Sequence, residues 1–286
     1  VVQLLALIAT MLRGCSVFIL KIGVTKSVSR TALFSVYYAA GSIICGWWTW
    51  YKGLLYFDLK TILVGVILGF STLAATECML LALKRGPGGV TSSLINANAI
   101  FTILLAVCFF GEQPAIFALL GVLLIIFGVI LLPIDFNQKL RITNKKWYYY
   151  VLLGTILFFP RNGGLKLIVH YGMCKEMVLF LANVVAFIYF GTVLVLKKNK
   201  GNVNSLNKKV ALVGFLAGAN IALSMNFYAA AVEKGSGQLS QIAAIFSATG
   251  LVVALLARIF CKERLSLIQI CSMLAIVGGT VFIALA

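Results

Sequence analysis

Four ionisable residues, Arg13, Glu77, Arg161 and Lys166, stand inside long apolar runs. A charge at the centre of a membrane helix costs about 2.5–3.5 kcal/mol on insertion scales. Such residues therefore face protein or a watery cavity, and they mark candidate functional sites by default. Arginine grips a carboxylate or phosphate through two parallel N–H bonds. Arg13 and Arg161 against Glu77 alone give surplus positive charge, which suits an organic anion or an amino acid whose amino group, or a coupling proton, goes to Glu77. Two alternatives stay open: a structural Arg13–Glu77 ion pair, and structural arginines beside a Glu77 that binds a cationic or drug-like compound. Lys21 and Lys166 lie near the ends of their runs, where snorkelling to the headgroups accounts for both.

Arg161 belongs to the stretch FFPRNGGLK, Phe158 to Lys166. Pro160 removes a backbone donor and clashes with the preceding turn, so the helix should kink or open there. Gly163 and Gly164 add looseness and allow close approach. Broken helices at mid-membrane are tolerated only where they line protein or a cavity, so Pro160–Gly164 is expected to form part of a substrate wall, with Arg161 pointing inward and Asn162 beside it. A gating hinge is the alternative. Polar groups recur at similar depth elsewhere: Ser92, Ser93, Asn96 and Asn98 in TSSLINANA; Asn183; Asn220 and Asn226; and Gln238, Gln241, Ser247 and Thr249. Singly, such residues often only bond neighbouring helices. The candidate substrate-binding set is Arg13, Glu77, Asn96, Asn98, Arg161, Asn162, Asn220, Asn226 and Gln241. No catalytic residue, metal ligand or cofactor is expected.

The elements that must position these residues follow from composition. Of 286 residues 62% are hydrophobic and only 11% charged, against about 25% charged in soluble domains. The class is an all-α integral membrane protein. At about 20 apolar residues per crossing, ten segments qualify: 2–23, 31–51, 60–84, 88–110, 114–133, 147–169, 176–196, 209–232, 236–260 and 265–285. The net charge of +17 is that of basic loops on anionic lipid and not of a nucleic-acid binder. The seven cysteines form no CxxC pattern and read as small buried hydrophobes. The opening apolar run is too long for a signal peptide and reads as the first span.

The chain repeats itself. TMLRGCSVFILKIGV (Thr10–Val24) aligns with TILFFPRNGGLKLIV (Thr155–Val169) at an offset of 145, and LVGVILG (Leu63–Gly69) with LVGFLAG (Leu212–Gly218) at 149. At an offset of 149 Asn226 falls on Glu77 and Ser247 on Asn98; at 151 Glu263 falls on Glu112 and Gly279 on Gly128. Two units of five spans are expected, over residues 1–135 and 147–286. Five is odd, so the units must point in opposite directions. Such an inverted repeat suits alternating access, because each half can take the shape of the other. The pairs Gly65/Gly69 and Gly214/Gly218 read as packing positions.

Each unit closes with a loop glutamate and a glycine-bearing final span, in FFGEQPAIFALLGVLLIIFGVILL (Phe109–Leu132) and CKERLSLIQICSMLAIVGGTVFIAL (Cys261–Leu285), and each first span ends in lysine, Lys21 and Lys166. With the ten-span, two-unit pattern, these marks resemble the drug/metabolite transporter superfamily, specifically its EamA-like branch. Ser272 departs from the pattern where the first unit has Gly121. The resemblance implies a multi-pass carrier of small metabolites in the cell (inner) membrane, driven by an ion gradient or by exchange, whose partners are a small-molecule substrate, a coupling proton or counter-substrate, and the lipid bilayer, with no nucleic acid. It also implies both termini inside. The charge bias implies the opposite: about sixteen Lys and Arg fall in one set of loops and about four in the other. A membrane-embedded transferase is disfavoured, because the seven acidic residues include no metal-binding pair. Saturable, counter-substrate-stimulated flux would separate a carrier from a channel.

Overall fold

The computed structural model describes residues 1–24, 30–55, 57–83, 85, 91, 94–131, 146–199, 207–261 and 266–285. Ser92, Ser93 and Glu263 lie outside the described residues, as does the side chain of Lys21.

Uniformly apolar runs have no water to satisfy their backbones and so pair them internally as helices. Twelve described helices result: α1 (Val2–Val24), α2 (Arg30–Tyr51), α3 (Leu59–Leu83), α4 (Ala99–Cys108), α5 (Ile116–Leu131), α6 (Lys146–Asn162), α7 (Gly164–His170), α8 (Lys175–Asn199), α9 (Lys208–Lys234), α10 (Leu239–Ser247), α11 (Thr249–Cys261) and α12 (Leu267–Leu285). They make ten spans, because α6 with α7, and α10 with α11, each form one crossing, while α4 is preceded by a helical turn at Leu94–Asn96. Six crossings are long and apolar enough to span a bilayer by composition alone.

The helix contacts have the two-fold pattern that the repeat demands. α1 packs on α9 as α6 packs on α3; α2 packs on α9 as α8 packs on α3; α2 meets α8, α4 meets α10 and α5 meets α12 across the pseudo-axis. The start of α1 and the end of α12 lie on one face, where Gln3 Nε2 donates to the Ile283 carbonyl (2.9 Å) and Val2 abuts Gly235. This is called the near face below.

Small residues let the helices approach. A Cβ added at Gly65 or Gly69 would meet Leu181 or Val185 of α8 at 2.8 Å. One at Gly214 would lie 2.9 Å from the Leu33 carbonyl of α2, and one at Gly218 would collide with that of Tyr37. Between α5 and α12 the approach is mutual: a Cβ at Gly121 would lie 2.6 Å from the Gly279 carbonyl, and one at Gly279 2.6 Å from that of Gly121. Ser272 is buried there, its Oγ donating to Ile268 on its own helix.

The break expected in FFPRNGGLK is mild. Gly163 separates α6 from α7 but keeps helical dihedrals (φ −78°, ψ −35°), and Lys166 N donates to the Gly163 carbonyl one residue short of α-helical spacing. Two further crossings tighten in the same way. Ala97 N donates to Leu94 O and Ile100 N to Ala97 O, while Ala248 N donates to Ile245 O and Leu251 N to Ala248 O. These i→i+3 bonds are short 3₁₀ turns inside α-helices. The latter two fall at matched repeat positions, beside Asn98 and Ser247.

Candidate functional site

The three tightened turns surround one small cavity. Its wall includes Arg13 of α1, Asn96 and Asn98 ahead of α4, Asn162 at the end of α6, Tyr228 of α9 and Phe246 of α10. Its free space holds little more than one water molecule. Of its polar wall residues, Asn96, Asn98, Asn162 and Ser247 lie where a crossing is interrupted. Arg13 Nη2 donates to Asn96 Oδ1 (3.2 Å), and the guanidinium lies 4.6 Å over the Phe246 ring. Tyr228 stacks on the same ring at 4.3 Å, and its hydroxyl donates to the Asn162 carbonyl (3.1 Å).

An amide chain crosses the cavity floor. Asn98 Nδ2 donates to the Ile95 carbonyl (2.8 Å), and Asn98 Oδ1 accepts from Asn162 Nδ2 (2.7 Å). Asn162 Oδ1 is then left buried without a hydrogen-bond partner. Asn98 is 2% exposed and Asn162 4%.

Arg161, 8% exposed, neighbours this cavity without being part of its wall. It lies within electrostatic range of Arg13, Tyr37, Tyr38 and Cys45. Among the described residues neither arginine has an ion-pair partner. The alternative Arg13–Glu77 pair is not formed. Glu77 is half-buried on α3, close enough to Tyr38 and Cys78 for electrostatic contact, with no hydrogen bond or ion pair among the described residues.

Other expected residues fall elsewhere. Asn226 and Asn183 are buried and both direct Nδ2 at Cys45 Sγ (3.6 Å each), a polar knot joining α2, α8 and α9 outside the cavity wall. Asn220 donates to Leu216 on its own helix, on a face open to lipid. Gln241 is half-buried and outside the cavity wall. Lys166 reaches the near face, where its Nζ donates to the Gly235 carbonyl (3.4 Å) and lies 5.9 Å over the Phe110 ring. The aromatic walls Tyr228 and Phe246 are absent from the sequence-derived set. In an apolar span an aromatic reads as core, and only the phenol of Tyr228, a polar handle needing a partner when buried, hints otherwise.

Glu112 has a specific task. Gly111, at φ 62°, turns the chain after α4, and Glu112 N donates back to Ala106 O, closing that helix. The carboxylate then crosses to the other unit and accepts from Leu239 N (2.7 Å), Ser240 N (3.0 Å) and Ser240 Oγ (2.9 Å). It caps the N-terminus of α10, the helix that carries Phe246.

Comparison with known proteins bears on the whole chain. The EamA-like transporter family, part of the drug/metabolite transporter superfamily, matches over residues 2–134 and 166–285. A solved crystal structure aligns with 99% of this chain and 98% of its own, with a TM-score of 0.78 at 14% identity, which shows the shared fold. No curated protein matches.

Proposed function

Since the chain belongs to the EamA-like transporter family, whose members are multi-pass membrane transporters and not enzymes, we propose that it carries a small organic anion by alternating access, with Arg13, Arg161, Asn96, Asn98 and Asn162 at the substrate site. One observation carries the proposal. A half-buried arginine, Arg13, and a buried one, Arg161, sit within electrostatic range of each other, and neither has a carboxylate partner among the described residues. An uncompensated charge in a low-dielectric interior is costly, and two neighbouring like charges raise that cost. A carboxylate or phosphate entering between them relieves both terms at once, and guanidinium geometry suits it. The cavity as described is too small for a metabolite, so it corresponds to a closed conformation, and its three 3₁₀ turns are natural points for opening. An ion gradient or exchange would supply the energy. Asn220, Asn226 and Gln241 have no part in substrate contact.

The test is thermal stability of the purified protein against organic acids, sugar phosphates, amino acids and organic cations, followed by counterflow with any hit. A ligand that binds only the folded state stabilises it in proportion to RT ln(1 + [L]/Kd). Stabilisation by anions that disappears in Arg161→Ala and Arg13→Ala is the expected result. Stabilisation by cations alone, surviving both substitutions, would refute the anion assignment.

Glu77 supports a second element of the proposal. It is a half-buried carboxylate without an ion pair among the described residues, outside the cavity wall, and both it and Arg161 lie within electrostatic range of Tyr38. That placement suits a coupling proton better than a substrate amine. Glu77→Gln should abolish pH-gradient-driven uptake while leaving exchange intact. Loss of cation stabilisation in that variant would instead favour export of a cationic or drug-like compound.

A further inference from the structure

Asn162 is fixed in its orientation by its neighbours. The Ile95 carbonyl can only accept, so Asn98 must offer it Nδ2 and turn Oδ1 the other way. Asn162 must then meet that oxygen with Nδ2. The outcome is a buried amide oxygen with no donor in contact, in a residue 4% exposed that lines the cavity. Buried acceptors are rarely left in this state, and each calls for an account. Arg13 lines the same small cavity and presents the positive charge.

We infer that Asn162 is a specificity-determining residue for the transported anion: its Oδ1 accepts a hydrogen bond from a hydroxyl on the carbon next to the substrate's carboxylate, so the substrate class is the 2-hydroxy acids. This deepens the anion assignment above and rests on it. Arg13 and Asn162 share one cavity wall, so the substrate's charge and its donor belong close together. A hydroxyl fits better than an ammonium, because the cavity wall holds no carboxylate and an ammonium would sit uncompensated beside Arg13, with Arg161 adding to the repulsion. A plain carboxylate leaves the Asn162 oxygen unpaired. A site built to bond a hydroxyl rejects the analogue lacking it more strongly than it rejects a change in apolar bulk.

The experiment compares matched ligands on the full chain in lipid nanodiscs by thermal stability and calorimetry: lactate against propionate, malate against succinate, and alanine against lactate, with chloride as the control anion. Wild type should bind the hydroxy member of each pair at least about tenfold more tightly, the equivalent of one hydrogen bond. Asn162→Leu should erase that preference while weakening propionate by less than about threefold. Asn162→Asp keeps the acceptor and adds a charge, and should turn the preference toward alanine. If Asn162→Leu fails to fold, the wild-type pairs and Asn162→Asp decide. Equal binding of lactate and propionate, or tighter binding of alanine than lactate by wild type, overturns the role of Asn162 and leaves the anion site standing. No binding of any organic anion, or binding of chloride alone, overturns the anion site itself.

Discussion

Glu112 is the residue whose role is easiest to isolate, because it touches neither the cavity nor the lipid-facing core. Its carboxylate takes three hydrogen bonds at the start of α10, and a negative charge is favoured at a helix N-terminus. Glu112→Gln removes the charge and replaces one acceptor oxygen with a donor that faces other donors. Stability should fall by about 1–3 kcal/mol, the cost of leaving buried donors unsatisfied, and the thermal midpoint should report it. An unchanged midpoint would mean that the turn rebuilds its cap with water. The marks that resemble the family single out this glutamate in the sequence, but no local pattern says where it points, because its partners lie 127 and 128 residues further along the chain. The same distance limits the site. Arg13, Asn96, Asn98 and Asn162 are conspicuous as polar residues in apolar spans, and the fold brings these four together. Asn220 is equally conspicuous and faces lipid. A span that is apolar all round carries no periodic signal to say which face is inward.

At the scale of elements, the span count and the inverted repeat are legible in the chain because both are set by run lengths and by offsets of 145–151, which survive uncertainty in helix phase. Helix interruptions are less legible. Pro160 announces one, yet the break falls at Gly163 with helical dihedrals, the tightening at Ala97–Asn98 carries neither proline nor glycine, and that at Ala248 has only Gly250 beside it. Carbonyls at these turns also accept from distant side chains, Leu94 O from Thr155 Oγ1 and Ile245 O from Thr10 Oγ1, a term that local propensity does not contain. Glycine packing yields a sharper expectation. Gly278 and Gly279 are adjacent, but a Cβ at Gly279 would lie 2.6 Å from the Gly121 carbonyl while one at Gly278 meets nothing within 4 Å. Gly279→Ala should therefore cost about 1–3 kcal/mol through overpacking, and Gly121→Ala about the same. Gly278→Ala should be neutral or stabilising by up to about 1 kcal/mol, the helix propensity gained. Equal effects at the two neighbours, measured by thermal or denaturant unfolding, would show that α5 and α12 slide apart at little cost.

At the scale of the whole molecule, the proposed alternating access would require the near face to open, and the charges there oppose it. Lys52, just past α2, bonds Glu176 Oε1 at the start of α8 (2.8 Å). Lys175 bonds the same oxygen (3.1 Å) and reaches Glu233 near the end of α9 (2.7 Å). One chain of four charges thus ties three helices, two of them from the second unit and one from the first. Its members are not equivalent. The side chains of Lys52 and Glu233 are 39% and 50% exposed, so water screens them and each outer contact is worth little. Lys175 and Glu176 are only 7% and 6% exposed, and a buried charge left without its partner is costly. Glu233→Gln leaves Lys175 on Glu176 and should change little. Glu176→Gln removes the negative charge that both lysines share and should shift the population toward an open near face. Spin labels at the exposed positions Tyr51 and Ser236 would report it: the distance distribution should broaden to longer values in Glu176→Gln and stay near wild type in Glu233→Gln. Identical distributions in the two variants would place the latch elsewhere, with Glu112 at the start of α10, Lys166 on the Gly235 carbonyl and Gln3 on the Ile283 carbonyl as further contacts on this face.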